Sequence, residues 1–81
     1  MEEDILYLQQ SKTVRFARLV RICTKWFGEP RVTGSHHVFK TPWKGDPRVN
    51  LQRAGKDAKP YQVKQVIAAL ERLSGGNEDE L

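Results

Sequence analysis

From Thr13 to Phe27 the apolar residues Val14, Phe16, Leu19, Val20, Cys23 and Phe27 recur at the i, i+3, i+4, i+7 spacing of one helical face. Arg15, Arg18, Arg21 and Lys25 fall elsewhere on that helix and are left to water. The pattern predicts a helix over 13–27, with Ser11 or Thr13 as N-cap and Gly28 and Pro30 as its stop. Three short strand-like pieces follow. The first is Arg31-Val32-Thr33, after which Gly34-Ser35 turns the chain into a second, His36 to Thr41. The turn-rich run Pro42 to Pro47 closes a hairpin onto the third, Arg48 to Gln52, where Val49 and Leu51 alternate with polar neighbours. A polar loop over 53–59 leads to Pro60, well suited to the first position of a helix. Val63, Val66, Ile67, Leu70 and Leu73 form that helix's apolar stripe, Lys64, Gln65, Glu71 and Arg72 lie outside it, and Gly75 ends it. Residues 1–12 read as a short helical or irregular lead-in, and 75–81 as a flexible acidic tail with nothing to pack.

The predicted order is therefore α-β-β-β-α. Two amphipathic helices bury their stripes against one face of a three-stranded antiparallel sheet and leave the other face in water. This α+β arrangement resembles the double-stranded-RNA-binding fold. At 81 residues there is room for one small domain, assigned to 13–74. No apolar run approaches the roughly 20 residues of a membrane span, so no membrane partner is expected. The start, Met1-Glu2-Glu3-Asp4, is acidic where a secretory signal is basic, and a single cysteine, Cys23, excludes an internal disulfide. Both features point to a cytoplasmic protein.

Charge changes the picture more than composition does. Glu2, Glu3, Asp4, Glu78, Asp79 and Glu80 sit at the two ends, and all fourteen Lys and Arg lie between them. Only Glu29, Asp46, Asp57 and Glu71 oppose these cations, so residues 5–77 carry +10 while the whole chain carries +4. A body this basic fits a polyanionic partner, nucleic acid first among them.

Candidate chemistry is concentrated in Gly34-Ser35-His36-His37-Val38-Phe39-Lys40, which holds both histidines at the start of a strand. Histidine exchanges protons near neutral pH. Successive strand side chains point to opposite faces, so only one of the pair can lie on the open face. Alternation does not decide which, because Val38 and Phe39 are both apolar. Cys23 with two adjacent, diverging histidines lacks the spacing of a zinc site, and there is no Gly-rich phosphate loop or nucleophile elbow. Asp46 and Asp57 read as turn formers.

Gly34-Ser35-His36-His37 followed by Val38-Phe39-Lys40 resembles the Gly-Ser-x-His strand of the HicA toxins, small mRNA interferases paired with a HicB antitoxin. The preceding helix, the Val49-x-Leu51 strand and Lys56-Asp57-Ala58-Lys59-Pro60 before the last helix extend the likeness over about residues 13–73. The lead-in is longer than is usual for that family. Gln52-Arg53-Ala54-Gly55 stands where many relatives carry a Pro-x-His-like segment.

The resemblance implies that His37 is the catalytic residue, that RNA is cleaved without metal or other cofactor, and that a HicB-like antitoxin neutralises the chain. Lys40, Lys44, Arg48, Arg53 and Lys56 flank the histidines in sequence and are the candidates for holding RNA phosphates. Trp43, at the hairpin tip, is placed either to stack on an unpaired base or to pack against the protein. The expected function is that of an mRNA endoribonuclease, the toxin of a toxin–antitoxin pair. The alternative is a catalytically inert RNA-binding module of the same fold.

Overall fold

A computed structural model describes residues 1–44 and 48–75. The elements are α1 (Glu2–Gln10), α2 (Phe16–Phe27), β1 (Arg31–Thr33), β2 (His36–Phe39), β3 (Val49–Gln52) and α3 (Pro60–Leu73). From α2 onward the order is α-β-β-β-α, with the sheet antiparallel in the order β1-β2-β3. α2 packs on β2 and α3 on β3, so both helices cover one face of the sheet. The expected turn former Asp46 and the expected flexible tail beyond Gly75 lie outside the described residues.

Pairing fixes which side chains face the helices. His37 stands opposite Val32 on one side and Leu51 on the other, and Phe39 stands opposite Val49. Directly opposed residues share a face. Phe39, Val49 and Leu51 are fully buried, so this is the helix face. Arg31, Thr33, His36, Val38, Asn50 and Gln52 line the other, open face. The β1–β2 connection is only Gly34-Ser35, with Gly34 at φ 59° and Ser35 not positive, the pattern of a type II′ hairpin turn. A one-residue change of that loop would put His36 on the helix side in place of His37.

Three details depart from the sequence reading. α2 starts at Phe16 rather than Thr13, and its N-cap, Arg15, makes no side-chain cap bond. Val14 and Arg15 are extended instead, and pair with the loop before α3. The Phe16 N–H donates to the Lys56 carbonyl at 2.8 Å, the Ala58 N–H to the Val14 carbonyl at 2.8 Å, and Arg15 bridges Asp57. A tertiary strand contact thus takes up a helix N–H that Ser11 or Thr13 was expected to cap. On α3, Gln62 and Ala69 are buried with Val66 and Leu70, while Val63 and Ile67 are half-buried. That stripe is wide because it serves α1, the sheet and α2 together. Gln62 sits at 1% exposure because its side-chain N–H donates to the Gln52 carbonyl at 3.1 Å, tying the first turn of α3 to the end of β3.

The third departure is α1. The lead-in is a nine-residue helix whose Ile5 and Leu8 join the common core. It runs antiparallel to α2: Asp4 meets the end of α2, where it accepts the Trp26 indole N–H at 2.7 Å, and Tyr7 meets Arg18 further back. That indole bond, aided by Lys25 at 3.4 Å, holds the Asp4 carboxyl below its ordinary range. Residues 1–12 therefore belong to the folded unit and are more than a lead-in to it. The expected consequence is that Leu8→Ala, at a side chain only 2% exposed, destabilises the whole domain by about 2–5 kcal/mol in a urea or thermal melt. Leu6→Ala, at a side chain 51% exposed, should stay within about 0.5 kcal/mol. Equal effects would mean that α1 is not docked through Leu8.

Candidate nucleic-acid interface

His37 lies on the helix face of β2, half-buried, and His36 lies exposed on the open face. The His37 ring packs edge-on against Phe16, with centroids 5.3 Å apart and planes at 71°. Its Nδ1 is buried without a hydrogen-bond partner. A buried polar atom left unpaired costs about 1–3 kcal/mol, and such atoms in native proteins call for an explanation. With Nδ1 buried, any proton exchange with a ligand falls to Nε2.

Phe16 itself is fully buried as a residue, yet it touches a cation as well as the imidazole. The Arg53 guanidinium sits 4.8 Å from the Phe16 ring centroid. The backbone puts it there, because the Arg53 N–H donates to the Ser35 carbonyl at 2.9 Å and holds the end of β3 beside the Gly34-Ser35 turn. One phenyl ring thus joins the histidine to an arginine.

Arg53 also opens onto a concavity of about 400 Å³, lined by Tyr7, Arg15, Ala17, Arg18, Arg21 and Lys56. Ala17 leaves room at its wall. Lys56 is brought in by the same Phe16–Lys56 backbone bond that starts α2. The Arg18 guanidinium lies 4.3 Å from the centre of the Tyr7 ring. Among the described residues the ion pairs are Arg15–Asp57 at 3.7 Å, with both side chains largely exposed, and Lys25–Asp4. An exposed pair of that kind contributes little, about 0–1 kcal/mol. The concavity therefore holds five cations, and the one carboxylate paired to them is Asp57 at its edge.

Of the five cations expected to hold phosphates, only Arg53 and Lys56 reach this concavity. Lys40 and Arg48 flank the paired ends Phe39 and Val49, and Lys44 follows in the hairpin. All three are exposed, and Lys40 is three residues beyond His37, roughly 10 Å along the strand. Trp43 is half-buried and packs on the core, 6.2 Å from Phe27 and edge-on to it, with the Arg72 guanidinium 4.5 Å from its ring centre. Arg15, Arg18 and Arg21 are exposed, as the sequence reading expected, and they also line this concavity, which it did not foresee. The spacing of three between Arg18 and Arg21 was a legible signal, because such residues are neighbours on a helix surface, while Arg15 joins them from the N-cap.

Cys23 is fully buried in α2, and burial pushes its thiol up to about 12. It is a core residue and not a nucleophile. In native protein at neutral pH it should resist alkylation by iodoacetamide and react only after denaturation, as followed by mass spectrometry. Fast labelling of the folded protein would contradict the packing around α2. Compared with family models, with curated proteins and with solved structures, the chain finds no match in any of the three.

Proposed function

We propose that this chain is a metal-independent endoribonuclease of the HicA toxin kind, acting in the cytoplasm on mRNA, with His37 as its proton-transfer group. The observation that carries the reading is the Phe16 ring, which both the His37 imidazole and the Arg53 guanidinium contact. RNA cleavage needs that pair of functions. His37 Nε2 would take the proton from a ribose 2′-hydroxyl as its oxygen attacks the adjacent phosphorus. The new bond closes a 2′,3′-cyclic phosphate, the P–O5′ bond breaks, and the 5′-oxygen leaves with a proton from water or from the imidazolium. Arg53 would balance the charge that grows on the phosphoryl oxygens. Proton transfer by one positioned group is worth about 10² to 10⁴ in rate, so a slow nuclease is expected.

A nuclease of this kind needs restraint in its own cell. The resemblance supplies a HicB-like antitoxin, and the cation-lined concavity supplies the surface for an acidic one. Occlusion of the His37 side of the domain would silence it without unfolding. The second reading, an inert RNA-binding module of the double-stranded-RNA-binding kind, is favoured by one observation: the edge-on packing of His37 on Phe16 is also how a core histidine is held.

His37 variants separate the two. In a gel-based RNA cleavage assay with chelator present, His37→Ala and His37→Asn should lower the rate at least a hundredfold while still binding RNA. Half-burial makes these changes more costly than on an open strand face, about 1 kcal/mol for the lost ring contact. His36→Ala, on the opposite face, should cleave like the parent chain. A folded His37→Asn protein that cleaves at the parent rate would refute the assignment, and a parent chain that binds RNA without cutting it would favour the inert module.

A further inference from the structure

We propose that the cleft formed by Arg15, Arg18, Arg21, Arg53 and Lys56 around Tyr7 is the seat of the RNA backbone, so that the strand runs over the helix side of the domain and not across the open sheet face. The inference rests on the RNA-directed reading above and adds where the polyanion lies.

The state of the charges is what distinguishes this cleft from a merely basic surface. A guanidinium that is only soluble extends into water with its rotamers free, and one that is structural pairs with a carboxylate. Arg18 and Arg53 do neither. Each is laid on an aromatic ring, Tyr7 at 4.3 Å and Phe16 at 4.8 Å. Stacking orders the planar fork while leaving its N–H donors and its charge to a ligand. Binding a phosphate then loses less side-chain entropy than it would with a free arginine.

Arg15 and Lys56 are fixed through the backbone, by the bridge of Arg15 to Asp57 and the Phe16 N–H bond to the Lys56 carbonyl. Arg21 continues the stripe one turn along α2 from Arg18. Helical rise spreads Arg15 to Arg21 over about 9 Å, enough for consecutive phosphates of one strand. Arg53 at the other wall leads from this track to the His37 ring through Phe16. The same arrangement explains what α1 adds beyond core: Tyr7 is the platform on which Arg18 rests.

The hairpin cations supply the control. Lys40 and Lys44 are exposed and lie at the far end of the strands. The double variants Arg18→Gln/Arg21→Gln and Lys40→Gln/Lys44→Gln each remove the same two positive charges, so any difference between them reports position and not net charge. Binding of a 2′-O-methyl oligoribonucleotide, which cannot be cleaved, is measured by fluorescence anisotropy across a salt series. The helix pair should flatten the log–log salt slope by about 1.4, two contacts at roughly 0.7 each, and the hairpin pair should leave the slope near the parent value. Circular dichroism confirms that both variants fold. Equal loss in the two variants, or loss in the hairpin pair alone, would overturn the cleft. Because the probe is uncleavable, a parent chain that binds it through the cleft but cuts no RNA would refute the nuclease reading and leave the cleft standing. A parent chain that fails to bind it would overturn the cleft.

Discussion

The position of Phe16 is the constraint on which the rest of this molecule depends. Its ring is fully buried at the first turn of α2, its N–H is committed to the Lys56 carbonyl, and its faces and edges meet both His37 and Arg53. Three segments far apart in sequence are therefore registered on one side chain: the start of the first long helix, the second strand, and the loop after the third. Truncating it would open a cavity in the core, at about 3–5 kcal/mol for a buried phenyl group. It would also remove the support of the imidazole and of the guanidinium together. Packing and candidate chemistry here are parts of one contact.

Charge is arranged around that contact in an unusual way for so small a domain. A chain with ten carboxylates could neutralise most of its fourteen Lys and Arg, yet six of those ten acids stand at the two ends. Asp4 is spent on Trp26 and Lys25, holding α1 to α2. Arg53, which shares the Phe16 ring with His37, and Arg18, on Tyr7, rest on aromatic rings instead. An acidic macromolecule approaching this side meets ordered and largely unneutralised cations, which favours fast association at low salt.

Most of the fold was legible in the sequence, because helical periodicity over 13–27 and 60–73, the Gly34-Ser35 turn and the polar–apolar alternation of 48–52 are strong local signals. What was not legible came from contacts between distant segments. Leu8 gave no sign of being core, since a nine-residue helix with three acids at its start is a poor amphipath in isolation and acquires its role only against α2 and α3. Val14 fitted the helical stripe, but the strand contact with Ala58 outcompeted the helix there. Which histidine faces the helices could not be read from alternation, as Val38 and Phe39 are both apolar. Register supplied the answer, by setting His37 opposite Leu51. Sequence adjacency to the histidines likewise does not carry Lys40, Lys44 and Arg48 to the concavity, because a strand takes its neighbours away at about 3.3 Å per residue, while α2 and its N-cap bring Arg18, Arg21 and Arg15 there.

The central claim is that function resides on the helix side of the sheet, around His37 and Phe16, and not on the open face. The most direct measurement is an NMR titration of the labelled protein with an uncleavable oligoribonucleotide, following the imidazole nitrogens of both histidines and the arginine Nε–H groups. The account predicts that His37, Arg18, Arg21 and Arg53 shift and saturate together while His36 and the Asn50 amide on the open face stay unmoved. Shifts confined to His36, Val38 and Asn50 would contradict it.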